Sequence, residues 1–404
     1  MATEVTTARQ APPTRRRARG LSYNAKWAIG FAIAAFVVFA LYQWFLPNAN
    51  ANVQSFFNDW APMSVLDECM VWMICALGLN VVVGYAGLLD LGYVAFWAIG
   101  GYIAGWFFSD FVFGVSWSFF GSARPGEPGI HVNFLLVLLI AAGFAALAGV
   151  MIGAPTLRLK SDYLALVTLG FGEITSQVFR NGDDIFGHNL DNGTRGITPL
   201  DPIKIFGFRL GPFDLTYQFL VMVFLVAVVV FVSLRLRHGR LGRAWLAIRE
   251  DELAASMMGV PLMRTKLAAY GVGAVAGGLG GVAFAAHINA VIPDRFDFSI
   301  SITLLAMVVL GGMGNVWGVM VGALVLAWIN ANGLKQFGTT FNSSFHTNIN
   351  FPSYNFGLFG LILVLMMLFR REGLIPEART KLLLREPDRA MLEAHGAEVD
   401  EVEP

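Results

Sequence analysis

The chain has 404 residues, of which 56% are hydrophobic and only 14% charged, and its 28 basic and 28 acidic side chains cancel. A soluble domain carries about 25% charged residues, so this composition excludes the soluble globular class, and zero net charge gives no support to a nucleic-acid partner. The long apolar runs are continuous rather than alternating, which excludes a β-barrel and predicts an all-α polytopic membrane protein.

Arg15, Arg16, Arg17 and Arg19 precede a first apolar run at 27–46, which is long for a signal-peptide apolar region. It reads as a signal anchor behind a disordered basic arm, residues 1–26, on the cytoplasmic side. The next runs are expected at 64–83 and 85–109. Cys69 and Cys75 lie in the first of these on different helix faces and read as core rather than as a disulfide or metal pair. The stretch Asn80–Gly105 holds Gly at 84, 87, 92, 100, 101 and 105, a pattern that permits either close helix crossing or a break into half-helices. After a Gly/Pro-rich loop at 110–131 come spans at 132–153 and 162–180, a polar periplasmic loop at 181–215, and a span at 216–234. A charged loop at 235–264 leads to spans at 265–290, 299–313, 315–332 and 354–370. Gly311, Gly312, Gly314, Gly318 and Gly322 make 310–322 the second Gly-rich stretch. The transmembrane domain is thus placed at 27–371, followed by a charged cytoplasmic tail, 372–404.

Threading these ten spans from an inside N-terminus puts 21 Lys/Arg on the cytoplasmic side and 7 outside. That bias follows the positive-inside rule and places both termini in the cytoplasm.

Ionisable residues within spans are functional candidates by default. Asp90, in GYAGLLDLGYVAF, can cap a helix that restarts after a Gly-rich break, or contact substrate. Glu173, in LVTLGFGEITSQ beside Thr168, can serve an interhelical hydrogen bond or a pathway. His287 and Asn289 read as satisfied interface residues, and Asp67 and Glu68 as interfacial. No nucleophile elbow, HExxH, Cys/His cluster or P-loop is present in the sequence. No enzyme activity and no bound cofactor are therefore expected, and any ATP and Mg²⁺ would be handled by another subunit.

The charged loop contains RAWLAIREDELAASMMG at 243–259. Helix formers followed by Gly259 and Pro261 predict a short helix and a sharp turn. This stretch resembles the EAA loop of ABC-importer permeases, which docks on an ATPase. Alone it reads equally well as a loop whose charges fix topology. Three further blocks extend the resemblance. NVVVGYAGLLDLGYVAFWAIGGY at 80–102, LRLKSDYLALVTLGFGEI at 157–174 and LAMVVLGGMGNVWGVMVGA at 305–323 are similar to hallmarks of the branched-chain amino-acid ABC permease family, in its longer subunit. The blocks stand in the family's order and cover most of 60–335.

The resemblance implies a bacterial inner-membrane importer for branched-chain amino acids. It would be assembled with a second permease subunit, two cytoplasmic ATPases and a periplasmic substrate-binding protein. It carries Glu252, Ala254, Ala255 and Gly259, with Arg243 at the head of the segment, over as coupling positions. Asp90, Gly92, Tyr93, Thr168, Glu173, Gly311 and Gly312 become candidates for the translocation path or the helix break. Arg195 departs from the family's outer-loop pattern. The other readings are a permease for urea, short amides or other amino acids, a stand-alone transporter or channel, and a membrane enzyme, which would need a catalytic cluster at one depth.

Overall fold

The computed structural model describes residues 23–112, 116–119, 129–159, 161–185, 188–205, 208–211, 214–370 and 372–375. The basic arm up to residue 22, the Gly/Pro-rich 120–128 and the tail from 376 lie outside the described residues. Fourteen α-helices are present among those described, in the order α1 (Tyr23–Ala40), α2 (Ala51–Trp60), α3 (Met63–Leu79), α4 (Val94–Phe107), α5 (Phe134–Thr156), α6 (Ser161–Arg180) and α7 (Leu215–His238). The second half comprises α8 (Arg240–Glu250), α9 (Glu252–Met257), α10 (Leu262–Ile288), α11 (Phe298–Gly311), α12 (Val316–Trp328), α13 (Leu334–Phe345) and α14 (Asn355–Phe369). Seven helical stretches among the described residues are long and apolar enough to cross a membrane. The chain is an all-α, multi-pass membrane protein.

α3 is the axis of the bundle and is buried over most of its length. α10 lies against it and also receives α4 and α5. Small residues make this possible. A Cβ on Gly100 of α4 would sit 2.1 Å from the Gly278 carbonyl oxygen of α10, and one on Gly281 would sit 2.1 Å from that of Trp97. The two backbones therefore touch, as small-residue faces allow in membranes. Where the helices diverge, aromatics fill the space. Trp97 meets Trp72 and Phe284 edge-on, each at 5.0 Å.

Two predicted spans cross on helices too short to do so alone. The run at 85–109 is a loop, 86–93, followed by the 14-residue α4. At 1.5 Å per residue α4 is about 21 Å long, short of the roughly 30 Å apolar core. α11 is also 14 residues, ending where Gly312 (φ +111°) and Gly314 (φ +86°) turn the chain into α12. The two half-helices meet where the Val94 N–H donates to Ser301 Oγ at 3.1 Å.

At one end of the bundle, strands β1 (Phe108–Ser109), β2 (Ser116–Phe119) and β3 (Gly129–Val132) form a small sheet with β3 central. A β4 (Ile203–Ile205) and β5 (Phe208–Leu210) hairpin lies within the 181–215 loop. Buried His131 ties these pieces together, with Asp201 at 2.8 Å from Nδ1 and Asp110 at 3.4 Å from Nε2. α2 and α13, neither of which the sequence pattern singled out, lie at the same end. The Asn332 and Gln336 amides both donate to the Asp59 carbonyl, at 2.7 and 2.6 Å. α8 and α9 mark the opposite end.

Candidate coupling end and membrane break

The 235–264 loop is two helices rather than one. Asp251 separates them and caps α9, its Oδ1 accepting from Leu253 N at 2.8 Å and Ala254 N at 3.0 Å. An Asp immediately ahead of a helical run is the sequence signal that could have found this cap. At the other end Gly259 takes φ +83°. Val260 N reaches Ala255 O at 3.1 Å and Gly259 N reaches Ser256 O at 3.0 Å, the paired bonds of a Schellman stop. A Cβ at Gly259 meets nothing within 4 Å. The glycine is needed for its backbone angle, not for space.

The expected coupling residues divide into different positions. Ala255 is buried under α9, while Ala254 and Arg243 are exposed. Glu252 is half-exposed and ion-paired to Lys266 in the first turns of α10, with Nζ–Oε1 at 2.5 Å. The pair ties α9 to α10. The sequence reading missed the tip, where Leu253, Met257 and Met258 are 71%, 79% and 84% exposed. Three large apolar side chains projecting from a short, doubly capped helix form a knob. A polar cleft of about 360 Å³ lies behind it, among Gly87, Arg158, Arg249, Glu252 and Lys266.

α8 anchors this knob to the bundle. Trp245, fully buried, donates to Thr265 O at 2.8 Å and stacks on Tyr85. Arg249 Nη1 donates to Gly84 O at 2.5 Å.

Beyond Gly84 the chain enters the break. Asp90 is buried and its Oδ1 accepts from Gly92 N at 2.9 Å, which fixes the turn that launches α4. Leu91 N donates to Thr168 Oγ1 of α6 at 3.1 Å. Gly92 packs on the same residue; a Cβ there would fall 2.1 Å from Thr168 O. Tyr93 is sealed inside the subunit, its OH donating to Gly273 O of α10 at 2.9 Å. The structure thus brings Asp90, Gly92, Tyr93 and Thr168 into one cluster, and places Tyr93 away from any surface. The N-terminal amides of both half-helices are engaged by Asp90, Ser301 and Asp297.

Glu173 lies one turn further along α6. It is half-buried and makes no hydrogen bond or ion pair among the described residues. Its helix has one packed face, Leu164, Ala165, Thr168, Gly172 and Ser176, and one bare face, Tyr163, Leu166, Val167, Ile174 and Val178. Gly311 and Gly312 are not part of this cluster. They form the α11–α12 corner, where Leu374 N and Ile375 N bond to Leu310 O and Gly311 O at 2.8 and 3.2 Å. The start of the tail, expected to be solvated, is therefore docked on the bundle.

Asp67 departs from its expected interfacial place. It is fully buried in α3, neither carboxylate oxygen has a hydrogen bond, and Oδ2 stands 3.9 Å from His287 Nδ1. That nitrogen also has no hydrogen-bond partner, so His287 is not the satisfied interface residue expected. Asn289 is satisfied, accepting from Leu200 N at 3.1 Å. Glu68 accepts from Trp72 Nε1 at 3.2 Å. Cys69 and Cys75 are free and buried. In the 181–215 loop, Arg195 is exposed beside the turn in which Asp191 Oδ1 accepts from Gly193 N. Burial pushes the Asp191 carboxyl above the ordinary carboxylate range against the pull of that bond, and Asp183 adds to the rise.

Residues 62–367 match the family described as branched-chain amino acid transport system, permease component. The chain belongs to this family. It is 36% identical over 337 residues to the high-affinity branched-chain amino acid transport system permease protein LivM of Escherichia coli, covering 78% of this chain and 70% of the relative. A probable LivM of Methanocaldococcus jannaschii is 26% identical, with 76% of this chain and 91% of the relative covered. The ribose import permease RbsC of Escherichia coli is 25% identical over 76% and 86% of the two chains. No solved structure matches. The family assignment gives this permease a transport role, not a catalytic one, and its region spans the break, α6, α8, α9 and the α11–α12 corner.

Proposed function

We propose that this permease is the membrane subunit of an ATP-driven importer for branched-chain, hydrophobic amino acids, and that α9 is where ATP hydrolysis on partner subunits enters it. The observation that carries this reading is the Leu253, Met257 and Met258 knob. Apolar side chains exposed on a helix outside the membrane have no reason to face water unless a partner covers them. Each would contribute about 2 kcal/mol on burial. The knob stands on a braced base, so a push on it moves the bundle rather than bending a loop. The 21 to 7 bias of basic residues supports placing this end in the cytoplasm.

The remaining partners follow from the other surfaces. The bare stripe of α6 fits a second permease subunit, and the path would run beside it, along Glu173 and the Asp90–Thr168 cluster. The loop at 181–215, held by His131 and Asp201, would receive a periplasmic substrate-binding protein. Magnesium and ATP would be bound by the ATPase subunits, with no cofactor on this chain. Greater identity to LivM than to the ribose permease favours an amino acid over a sugar as cargo. Uptake of labelled leucine, isoleucine, valine, urea and ribose by the reconstituted complex tests this. Transport of ribose or urea in preference to the three amino acids would refute the cargo assignment.

A further inference from the structure

The end of α3 is gripped by α8 at three points within four residues. A helix leaves its last carbonyls without intrahelical partners. Here the chain continues from α3 through a π-helical turn, Asn80–Tyr85. Ala86 N bonds to Val81 O and Leu88 N to Val82 O. Gly84 O instead accepts from Arg249 Nη1. The next residue, Tyr85, is stacked on Trp245 with centroids 6.5 Å apart and planes 13° from parallel, and the Arg237 guanidinium stands 5.9 Å from its ring. Gly87 follows at φ +70°, and a Cβ there would lie 2.9 Å from Arg249 Cγ. Trp245 and Arg249 are four residues apart and so share one face of α8.

The gripped segment leads directly into the break. Three residues after Gly87 comes Asp90, and Leu91 is bonded to Thr168 on α6. On its other side the π turn is tied to the α11–α12 corner, Asn80 Oδ1 accepting from Gly314 N at 2.8 Å. A π turn carries one residue more than the α-helical register and is a recurrent feature of functional sites. It is the element here most able to change register while its ends stay held. A chain of direct contacts therefore runs from α9 through α8 to the α3 terminus, the break and α6.

We propose that Arg249 is a positioning residue that couples displacement of α8 to the 86–93 break through Gly84 O. The stroke then enters the membrane at the end of α3 and not only along α7 and α10. This inference rests on α9 being the ATPase dock.

The test uses the complete complex in proteoliposomes, with an environment-sensitive label on a cysteine at Leu89, an exposed position in the break. Three quantities are read for wild type, Arg249→Ala and Arg249→Lys: ATP hydrolysis, leucine uptake, and the change in label signal on adding ATP. The alanine variant should keep hydrolysis within about twofold, lose tenfold or more of uptake, and lose the ATP-dependent signal. Lysine, which can still donate to Gly84 O, should restore at least half of the uptake. An alanine variant with wild-type uptake and signal overturns the inference while leaving docking intact. Parallel loss of hydrolysis and uptake in both variants reduces Arg249 to a structural role and also overturns it. Failure of the wild-type chain to hold the ATPase refutes the docking reading itself. If the alanine variant does not assemble, Arg249→Met keeps the side chain's bulk, removes the donor to Gly84 O and should give the same split. Unchanged uptake in Arg249→Met then overturns the inference.

Discussion

Replacing Asp90 separates a capping role from a direct role in transport. The carboxylate is buried, one oxygen accepts from Gly92 N at 2.9 Å, and the other has no hydrogen bond. Asn retains the accepting oxygen and exchanges the unbonded one for an amide, so Asp90→Asn should cost less than about 1 kcal/mol. Leu removes the acceptor and strands Gly92 N in an apolar interior, at about 1–3 kcal/mol. Added strain in the 86–93 turn would raise that figure. Denaturant unfolding of the purified subunit, followed by intrinsic tryptophan fluorescence, reads the difference directly. Uptake should follow the same order, with Asn near wild type and Leu strongly reduced. Asn as damaging as Leu would show that the negative charge, not the cap, is needed. A Leu variant as stable as wild type would refute the capping geometry.

Gly92→Ala should be more damaging than either Asp90 change, by about 2 kcal/mol or more, because its Cβ would meet the Thr168 backbone 2.1 Å away and backbone cannot step aside; a stability assay on the subunit alone suffices. Gly170, beside the bare face of α6, has nothing within 4 Å of an added Cβ. Gly170→Leu should therefore leave the isolated subunit folded and block assembly with the second permease, which size-exclusion chromatography of the co-expressed pair would read; normal assembly would place the partner elsewhere. Glu173→Gln should lower uptake several-fold without loss of assembled complex, as expected of a polar group on a path rather than in a core. Cysteines at Met258 and Ser343 should react with an impermeant thiol reagent from opposite sides of the membrane; labelling of both from outside would invert the placement of the coupling end.

Much of the architecture was legible because membrane insertion demands long apolar runs, and those runs stand out whatever their neighbours do. α5, α7, α10 and α14 begin and end within a few residues of expectation. The two half-helices were only partly legible. Glycines and Asp90 marked a break, but where α4 restarts depends on Thr168 and Ser301, distant in sequence. α2 and α13 were missed because their mixed Phe, Asn and Ser content forms neither a span nor a clear loop. At the candidate site the motif positions marked the α8–α9 segment but not which of its side chains are exposed. Ala255 is covered and Glu252 is held by Lys266, while the exposed knob is made of Leu and Met, which in so apolar a chain read as core. Asp67 was misplaced for a related reason: α10 packs on α3 and brings His287 beside it, and burial by an element distant in sequence leaves no local trace.

Docking of an ATPase on α9 is the step on which the proposed function turns. It is tested most directly by co-purifying the tagged permease complex with its ATPase subunits after changing Met257 and Met258 together to Glu. Both side chains are almost wholly exposed, so the fold should be unaffected. Losing two apolar contacts of about 2 kcal/mol each lowers affinity by roughly a thousandfold. The expected result is a stable permease pair that no longer retains ATPase and no longer takes up leucine. A double variant that holds the ATPase as firmly as wild type would contradict it.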